Sequence, residues 1–93
     1  MANPEHVKIL NQGAGVWNKC REENPDIIPD LKNADRQGIN LSGAKLFEAN
    51  ISGAKLIRTD LTGANLSKSK LIGAHLSEAY LKGANCKELV GGQ

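Results

Sequence analysis

Residues 40–85 decide the fold and read NLSGAKLFEANISGAKLIRTDLTGANLSKSKLIGAHLSEAYLKGAN. Leucine or isoleucine returns at every fifth position from Leu41 to Leu81, and Cys86 takes the next place. From Leu46 onward a small residue, in most cases alanine, lies two positions before each of them, whereas Ile39 takes that place before Leu41. A period of five fits neither an α-helix nor a flat strand. It fits a short extended segment that turns a corner after each repeat and points both of these residues inward.

One such repeat cannot bury its own leucine, so the repeats must wrap and stack. Glycine occupies every second corner, and glycine suits a corner that needs positive φ. With four sides in each coil, residues twenty apart stack, so glycine lies on glycine. The charged corners then stack with opposite signs: Arg58 on Glu78, and Lys68 between Glu48 and Glu88. With three sides in each coil, glycine would not stack on glycine and opposite charges would not stack on each other. The sequence therefore predicts a square coil.

The repeats resemble the A-(D/N)-L-x-x motif of the pentapeptide-repeat family, for example ANI at 49–51 and ANL at 64–66. The resemblance covers residues 30–89 and implies a right-handed quadrilateral β-helix. We therefore expect an all-β solenoid, a four-sided parallel β-helix of about three coils with an N-terminal α-helical cap. The string WNKCREENP at 17–25 is similar to the N-terminal segment of some short bacterial members of that family.

The N-terminal segment, residues 1–29, is predicted to form a capping helix and a linker, and residues 90–93 a C-terminal tail. Asn3 suits a helix N-cap and is followed by proline and glutamate, which favour the first helical turn. Apolar residues then follow on one helical face: Val7, Leu10, Ala14 and Trp17. We expect a helix over residues 4–23 that covers the first coil with Trp17, because an uncovered coil would expose its leucines.

Arg36 occupies a central position where leucine belongs. An arginine is not buried without a partner, so we expect its side chain to leave the coil. We expect it to reach upward to an acidic group at the end of the cap or the start of the linker: Glu22, Glu23 or Asp26.

The C-terminal end of the stack, called the lower end below, is predicted to be exposed. Its inward residues have no further coil beneath them: Leu71, Leu76, Leu81 and Cys86. Two arrangements would hide this surface. The chain associates end to end with another copy, or Leu89 and Val90 fold under the last coil as a small plug.

The outer surface offers few anchors for a protein partner. Large apolar side chains point outward from the repeats at only four positions: Phe47, Ile57, Ile72 and Tyr80. They are candidate contacts for an unidentified protein. The alternative is that Ile27 and Ile28 of the linker cover Phe47 or Ile57, and that Ile72 is an isolated surface residue.

The sequence contains no catalytic or metal-binding constellation. Its two histidines, His6 and His75, belong to different regions, and the serines follow the repeat positions. Cys20 and Cys86 lie too far apart in the predicted coil for a disulfide. We expect no enzymatic activity and no cofactor. The net charge is +2 with both signs interspersed, which does not indicate nucleic-acid binding. The absence of an apolar span or leader pattern indicates a cytoplasmic protein without membrane contact.

Two functions remain for such a rod. The first is a protein-interaction or scaffold module. The second is a DNA mimic, because some longer members of the resembled family modulate DNA gyrase by presenting an acidic rod shaped like duplex DNA. A mimic needs dense negative charge on its faces. The net charge of +2 and the short repeat region disfavour this second function.

Overall fold

A computed structural model describes residues 2–91 of the chain. Two helices come first, α1 (Pro4–Leu10) and α2 (Ala14–Glu23). The five-residue repeats follow, and parallel bridges between residues twenty apart stack them in successive coils. The molecule measures 31 × 23 × 23 Å. Within the described residues the repeats form isolated β-bridges and no extended strand. The short strands expected from the sequence are thus reduced to one bridging residue on each side of a coil.

The bridges show that the coil repeats every twenty residues. All nine bridges in the described residues are parallel, and each connects a residue with the one twenty positions later, as in Lys45 with Asn65 and Asn65 with Asn85. The backbone N–H of Leu46 donates to the carbonyl of Asn65 at 2.8 Å, and the N–H of Asn65 donates back to Ala44 at 2.9 Å. The predicted stacking of residues twenty apart is therefore confirmed.

The coils cover residues 30–49, 50–69 and 70–89, in agreement with the predicted number of three. The pairing continues to Val90, which bridges to Lys70. The first residue of the predicted tail, 90–93, thus still belongs to the ladder. Residues 92 and 93 of that tail, and residue 1 of the predicted cap segment, lie outside the described residues.

The charged corners of the coils have a backbone conformation that the sequence did not predict. All glycine corners of the repeats have positive φ, between 68° and 72°. The charged corners adopt the same left-handed conformation, as at Arg58 (60°) and Lys68 (58°). Alternation of glycine therefore does not separate two backbone conformations. The predicted stack of Arg58 on Glu78 is present as an ion pair of 3.2 Å, whereas Lys68 forms no ion pair with Glu48 or Glu88 within residues 2–91.

The core consists of the inward columns that the period predicts. The central residues of the first two coils are almost fully buried, with the exception of Arg36: Leu31, Leu41, Leu46, Ile51, Leu56, Leu61 and Leu66. The small residues two positions earlier pack in the same core. Thr59 and Ser69 take alanine positions and are buried, and their hydroxyls donate to the carbonyls of Arg36 (2.9 Å) and Leu66 (2.7 Å). These polar side chains are accepted because each has a partner.

The cap consists of two helices instead of the single one expected over residues 4–23. The side chain of Asn3 accepts from the N–H of Glu5 at 2.9 Å and caps α1, as predicted. The chain then turns at residues 11–13. Gly13 has a φ of 98°, which a continuous helix cannot contain. Leu10 and Trp17, one from each helix, are buried against the first coil.

The asparagine or aspartate of the motif has a structural role at the outer surface. Its side-chain oxygen accepts from the backbone N–H two residues later, as in Asn50 to Ser52 at 3.1 Å and Asp60 to Thr62 at 3.0 Å. This N–H is not used by the ladder between coils. The hydrogen bonds from Thr62, side chain and backbone, lower the pKa of the Asp60 carboxyl. The motif thus satisfies a backbone donor that the stacking leaves free.

Replacing Asn50 with alanine is expected to lower the free energy of unfolding by about 0.5–1.5 kcal/mol, because the N–H of Ser52 loses its acceptor. Urea denaturation of the variant and the wild type measures this difference. Lys55→Ala is the matched control, since Lys55 occupies the same repeat position on the next side and accepts no such bond. Equal effects at the two positions would contradict the assigned role.

Candidate functional site

The upper edge of the first coil is closed by side chains of α2. In the lower coils each bridging residue exchanges hydrogen bonds with the coil above it. Lys45 has no coil above it, and the cap supplies the partners. Its N–H donates to the Oδ1 of Asn18 at 2.7 Å, and its carbonyl accepts from the Nε1 of Trp17 at 2.8 Å and from Arg21 at 2.9 Å. Trp17 therefore covers the first coil as the sequence predicts, with a directed hydrogen bond as well as apolar contact.

The neighbouring side of the first coil is closed by the segment around α1. The carbonyl of Asp30 accepts from the N–H of Asn3 at 3.1 Å, and the N–H of Asp30 donates to the Nδ1 of His6 at 2.9 Å. His6 and Asn18 were not singled out from the sequence for this role. The sequence shows only that both are polar residues of the cap helices. Their role could be recognised only once the orientation of the helices on the first coil was known.

Arg21 connects the cap to one candidate contact residue, Phe47. Its guanidinium donates to the carbonyls of Lys45 and Phe47 and lies 4.0 Å from the centre of the Phe47 ring. Phe47 is half-buried beneath this cation. Arg21 is 9 % exposed, and burial lowers the pKa of its guanidinium, while the negative charge of Glu48 acts in the opposite direction. The alternative in which Ile27 and Ile28 cover Phe47 or Ile57 does not hold for Phe47, because both isoleucines are exposed and Arg21 lies over the Phe47 ring.

The expected partner of Arg36 is also wrong. Glu22 is bound to Lys45, with its Oε2 2.7 Å from the Lys45 Nζ, and this hydrogen bond and charge lower the pKa of Glu22. Arg36 folds back and donates to the carbonyl of Asp35. The Arg36 side chain is half-buried, and its Nε is buried without a hydrogen-bond partner. Within residues 2–91 it forms no ion pair with Glu22, Glu23 or Asp26.

The four outward apolar residues do not form one site. Phe47, Ile57, Ile72 and Tyr80 adjoin four different columns of bridges, so each lies on a different side of the coil. Ile72 and Tyr80 are exposed (57 % and 65 %), whereas Phe47 and Ile57 are half-buried. A partner that contacts one side of the rod would therefore meet only one of them.

The lower end is the larger exposed apolar feature. Leu81 is 40 % exposed, Cys86 is exposed and Leu76 is half-buried. Leu71 was expected in this group, but it is only 7 % exposed, and its N–H donates to the carbonyl of Val90 at 3.0 Å. Leu89 is half-buried against the core. The end of the described chain thus covers one side of the lower end and leaves the other sides open.

The open sides also present backbone groups that are paired in the coil above. There, the N–H groups of Leu56, Leu61 and Leu66 each donate downward at 2.8 Å. The equivalent groups one coil lower belong to Leu76, Leu81 and Cys86. Within residues 2–91 no backbone carbonyl accepts from them. The carbonyls of three alanines are likewise without a backbone donor in this part of the chain: Ala74, Ala79 and Ala84.

A cleft lies between the two helices and the linker, and we call it the cap cleft. It encloses about 260 Å³. Its walls are mainly apolar and its polar groups come chiefly from the helices, and it is lined among others by Glu5, His6, Ile9, Cys20, Arg21 and Pro29.

Three further side chains in the described part of the chain are of reactive types. His75 is exposed beside Lys55 in the ladder, and Cys20 and Cys86 are free thiols. The described residues contain no cluster of three or more possible metal ligands. Neither α1 nor α2 has the length and apolar character needed to cross a bilayer.

Comparison with known proteins identifies the repeats. A family model described as pentapeptide repeats matches eight copies over residues 30–63 and 59–89, which together include all three coils. No curated protein matches the chain at a significant level. The helices and the linker lie outside the matched residues.

Proposed function

Because this chain belongs to the pentapeptide-repeat family, whose members are in general structural or interaction modules, we propose that it is a protein-interaction module without enzymatic activity. We further propose that its repeats form a right-handed quadrilateral β-helix. The twenty-residue pairing and the five-residue sides support four sides, and the family supports the handedness. The free thiols of Cys20 and Cys86 fit a reducing compartment, so we place the protein in the cytoplasm.

The observation that carries the proposal is the composition of the lower end. It combines exposed apolar side chains, Leu81 foremost, with a row of backbone donors and acceptors that have no partner in residues 2–91. Such an edge pairs readily with another chain. The side faces offer only single apolar residues, so they support this role less well.

The partner we propose is a second copy of the chain. Donors and acceptors alternate along the lower edge, so two lower ends related by a two-fold axis complement each other. The cross-section of about 23 × 23 Å corresponds to about 500 Å² for each copy, hence about 1,000 Å² in total. This area reaches the lower limit for specific protein interfaces.

The cap determines which assembly is possible. Side chains of Trp17, Asn18 and Arg21 occupy the upper edge of the first coil at Lys45. A lower end cannot pair with an upper edge that is already bonded, so head-to-tail stacking into a filament is blocked. Association through two lower ends closes on itself, and the expected product is a dimer.

Sedimentation equilibrium of the wild type is expected to show a monomer–dimer equilibrium. Leu81→Glu is expected to weaken dimerisation at least about tenfold, because it places a charge in the apolar centre of the contact. Cys86→Arg tests the same surface at a residue that is already exposed, so folding is preserved. The control is Val16→Glu, which adds a charge at an exposed apolar residue of the cap.

A wild type that remains monomeric at about millimolar concentration would contradict the proposed partner. So would a dimer that is weakened equally by Val16→Glu. In either case a heterologous protein on the lower end becomes the alternative. The net charge of +2 continues to disfavour a DNA mimic, and absence of any effect on gyrase supercoiling is the expected result.

A further inference from the structure

His6 is a titratable side chain that closes part of the upper edge of the first coil. Its ring is half-buried, and its Nδ1 accepts a hydrogen bond from the backbone N–H of Asp30 at 2.9 Å. Because a backbone N–H can only donate, Nδ1 carries no proton, and the proton of the neutral ring lies on Nε2. This contact therefore requires neutral histidine in one tautomer.

The neighbouring side of the same edge is closed by groups that do not depend on a proton in this way. The N–H of Lys45 donates to the amide oxygen of Asn18 at 2.7 Å. The carbonyl of Lys45 accepts from the side chains of Trp17 and Arg21. Amide and indole groups do not titrate between about pH 5 and 8, and a guanidinium keeps its charge there. The two helices thus hold the first coil by contacts of different pH dependence.

The titratable and charged groups around His6 belong to α1, α2 and the start of the first coil: Glu5, Cys20, Arg21 and Asp30. The two carboxylates attract an imidazolium, and the guanidinium repels it. Neither effect replaces the hydrogen bond itself. Within residues 2–91 the N–H of Asp30 has no acceptor other than the ring of His6. Protonation of Nδ1 therefore leaves this N–H without a partner.

We propose that His6 is a pH-sensitive contact whose protonation loosens α1 on the first coil in mildly acidic solution. Histidine in a model peptide gains its second proton at about pH 6.5. Protonation places an N–H on Nδ1 opposite the N–H of Asp30, so the bond is lost and two donors face each other. The stabilisation is complete while the ring is neutral and is lost as the pH falls through this range.

The loosening is confined to one side of the upper edge. Leu10 of α1 stays buried against the core, and the N–H of Asn3 still donates to the carbonyl of Asp30, so α1 opens more often but is not released. The side at Lys45 remains closed by α2. Head-to-tail stacking thus stays blocked at acidic pH, and the cap cleft, which His6 lines, becomes more accessible.

Amide hydrogen exchange followed by NMR compares the two sides of the edge in one molecule. The protection factor of the Asp30 N–H is expected to be about tenfold lower at about pH 5 than at about pH 7.5, because its acceptor is lost. The N–H of Lys45 is the internal control. Its protection factor is expected to change less than about twofold, since Asn18 does not titrate.

Two variants assign the effect to a histidine. His6→Gln supplies an amide oxygen that can accept a hydrogen bond at any pH, so the pH dependence at Asp30 is expected to disappear. The matched control is His75→Gln, which replaces the other histidine of the chain at an exposed position of the third coil. The pH dependence at Asp30 is expected to persist in this control.

An Asp30 protection factor that is the same at both pH values would overturn the proposal. An equal fall at Lys45 would also overturn it, because the whole cap would then loosen together. Ring-nitrogen NMR of the wild type adds a test that needs no variant, and a proton on the Nδ1 of His6 at about pH 7.5 would contradict the proposed contact. Persistence of the pH dependence in His6→Gln would assign it to another group.

Discussion

Replacing Trp17 with alanine is expected to lower the free energy of unfolding by about 3–5 kcal/mol. Trp17 is 3 % exposed, packs against the first coil and donates its indole N–H to the carbonyl of Lys45 at 2.8 Å. The substitution opens a cavity above the first coil and removes one of the two donors to that carbonyl. Urea denaturation followed by circular dichroism measures the change, because the variant has no tryptophan fluorescence.

Two companion variants separate the parts of this effect. Trp17→Phe retains most of the apolar contact and loses the indole donor, so a smaller loss of about 1–2 kcal/mol is expected. Val16→Ala changes the adjacent residue of α2, which is 44 % exposed, and is expected to cost less than about 0.5 kcal/mol. A loss below 1 kcal/mol for Trp17→Ala would show that the coils are stable without their cap.

The second large effect is expected at Leu61, in the middle coil. Leu61 is fully buried, with coils on both sides, and Leu61→Ala should lower the free energy of unfolding by about 3–5 kcal/mol. Leu81 occupies the same column one coil lower, where it is 40 % exposed. Leu81→Ala should therefore cost less than about 1.5 kcal/mol when measured on the monomer.

This pair tests the stacking itself, because the two leucines share their repeat position and differ only in the coil beneath them. Urea denaturation at low protein concentration provides both values. Equal losses at Leu61 and Leu81 would mean that the column is not buried by its neighbours along the stack, and the arrangement of the coils would have to be revised.

The stacked coils were predictable from the sequence because the same residue pattern recurs in every repeat. Every fifth residue repeats the same inward position, so an error at one repeat is corrected by the others. The charges at the corners indicated independently that residues twenty apart stack, and the ion pair of Arg58 with Glu78 agrees with this register. The left-handed φ at the charged corners was not predictable from composition, because charged residues rarely adopt it and here the stacking of the coils imposes it.

The candidate sites depended far more on the tertiary structure. The sequence indicates outward residues but not which of them another element covers. Arg21 lies over Phe47, which was expected to be an exposed contact residue. Val90 accepts from the N–H of Leu71, which was expected to be exposed at the lower end. The dispersion of the four outward apolar residues over four sides follows from the twenty-residue register.

The sequence by itself determined the coil of twenty residues, its inward columns and the presence of a helical cap. The tertiary structure alone decided how that cap binds the first coil, where Arg36 lies and how much of the lower end stays open. The physical reason is that the coil is held by equivalent contacts between neighbours, which a period encodes. The cap is held by single hydrogen bonds from Trp17, Asn18 and Arg21, whose partners depend on how the helices dock.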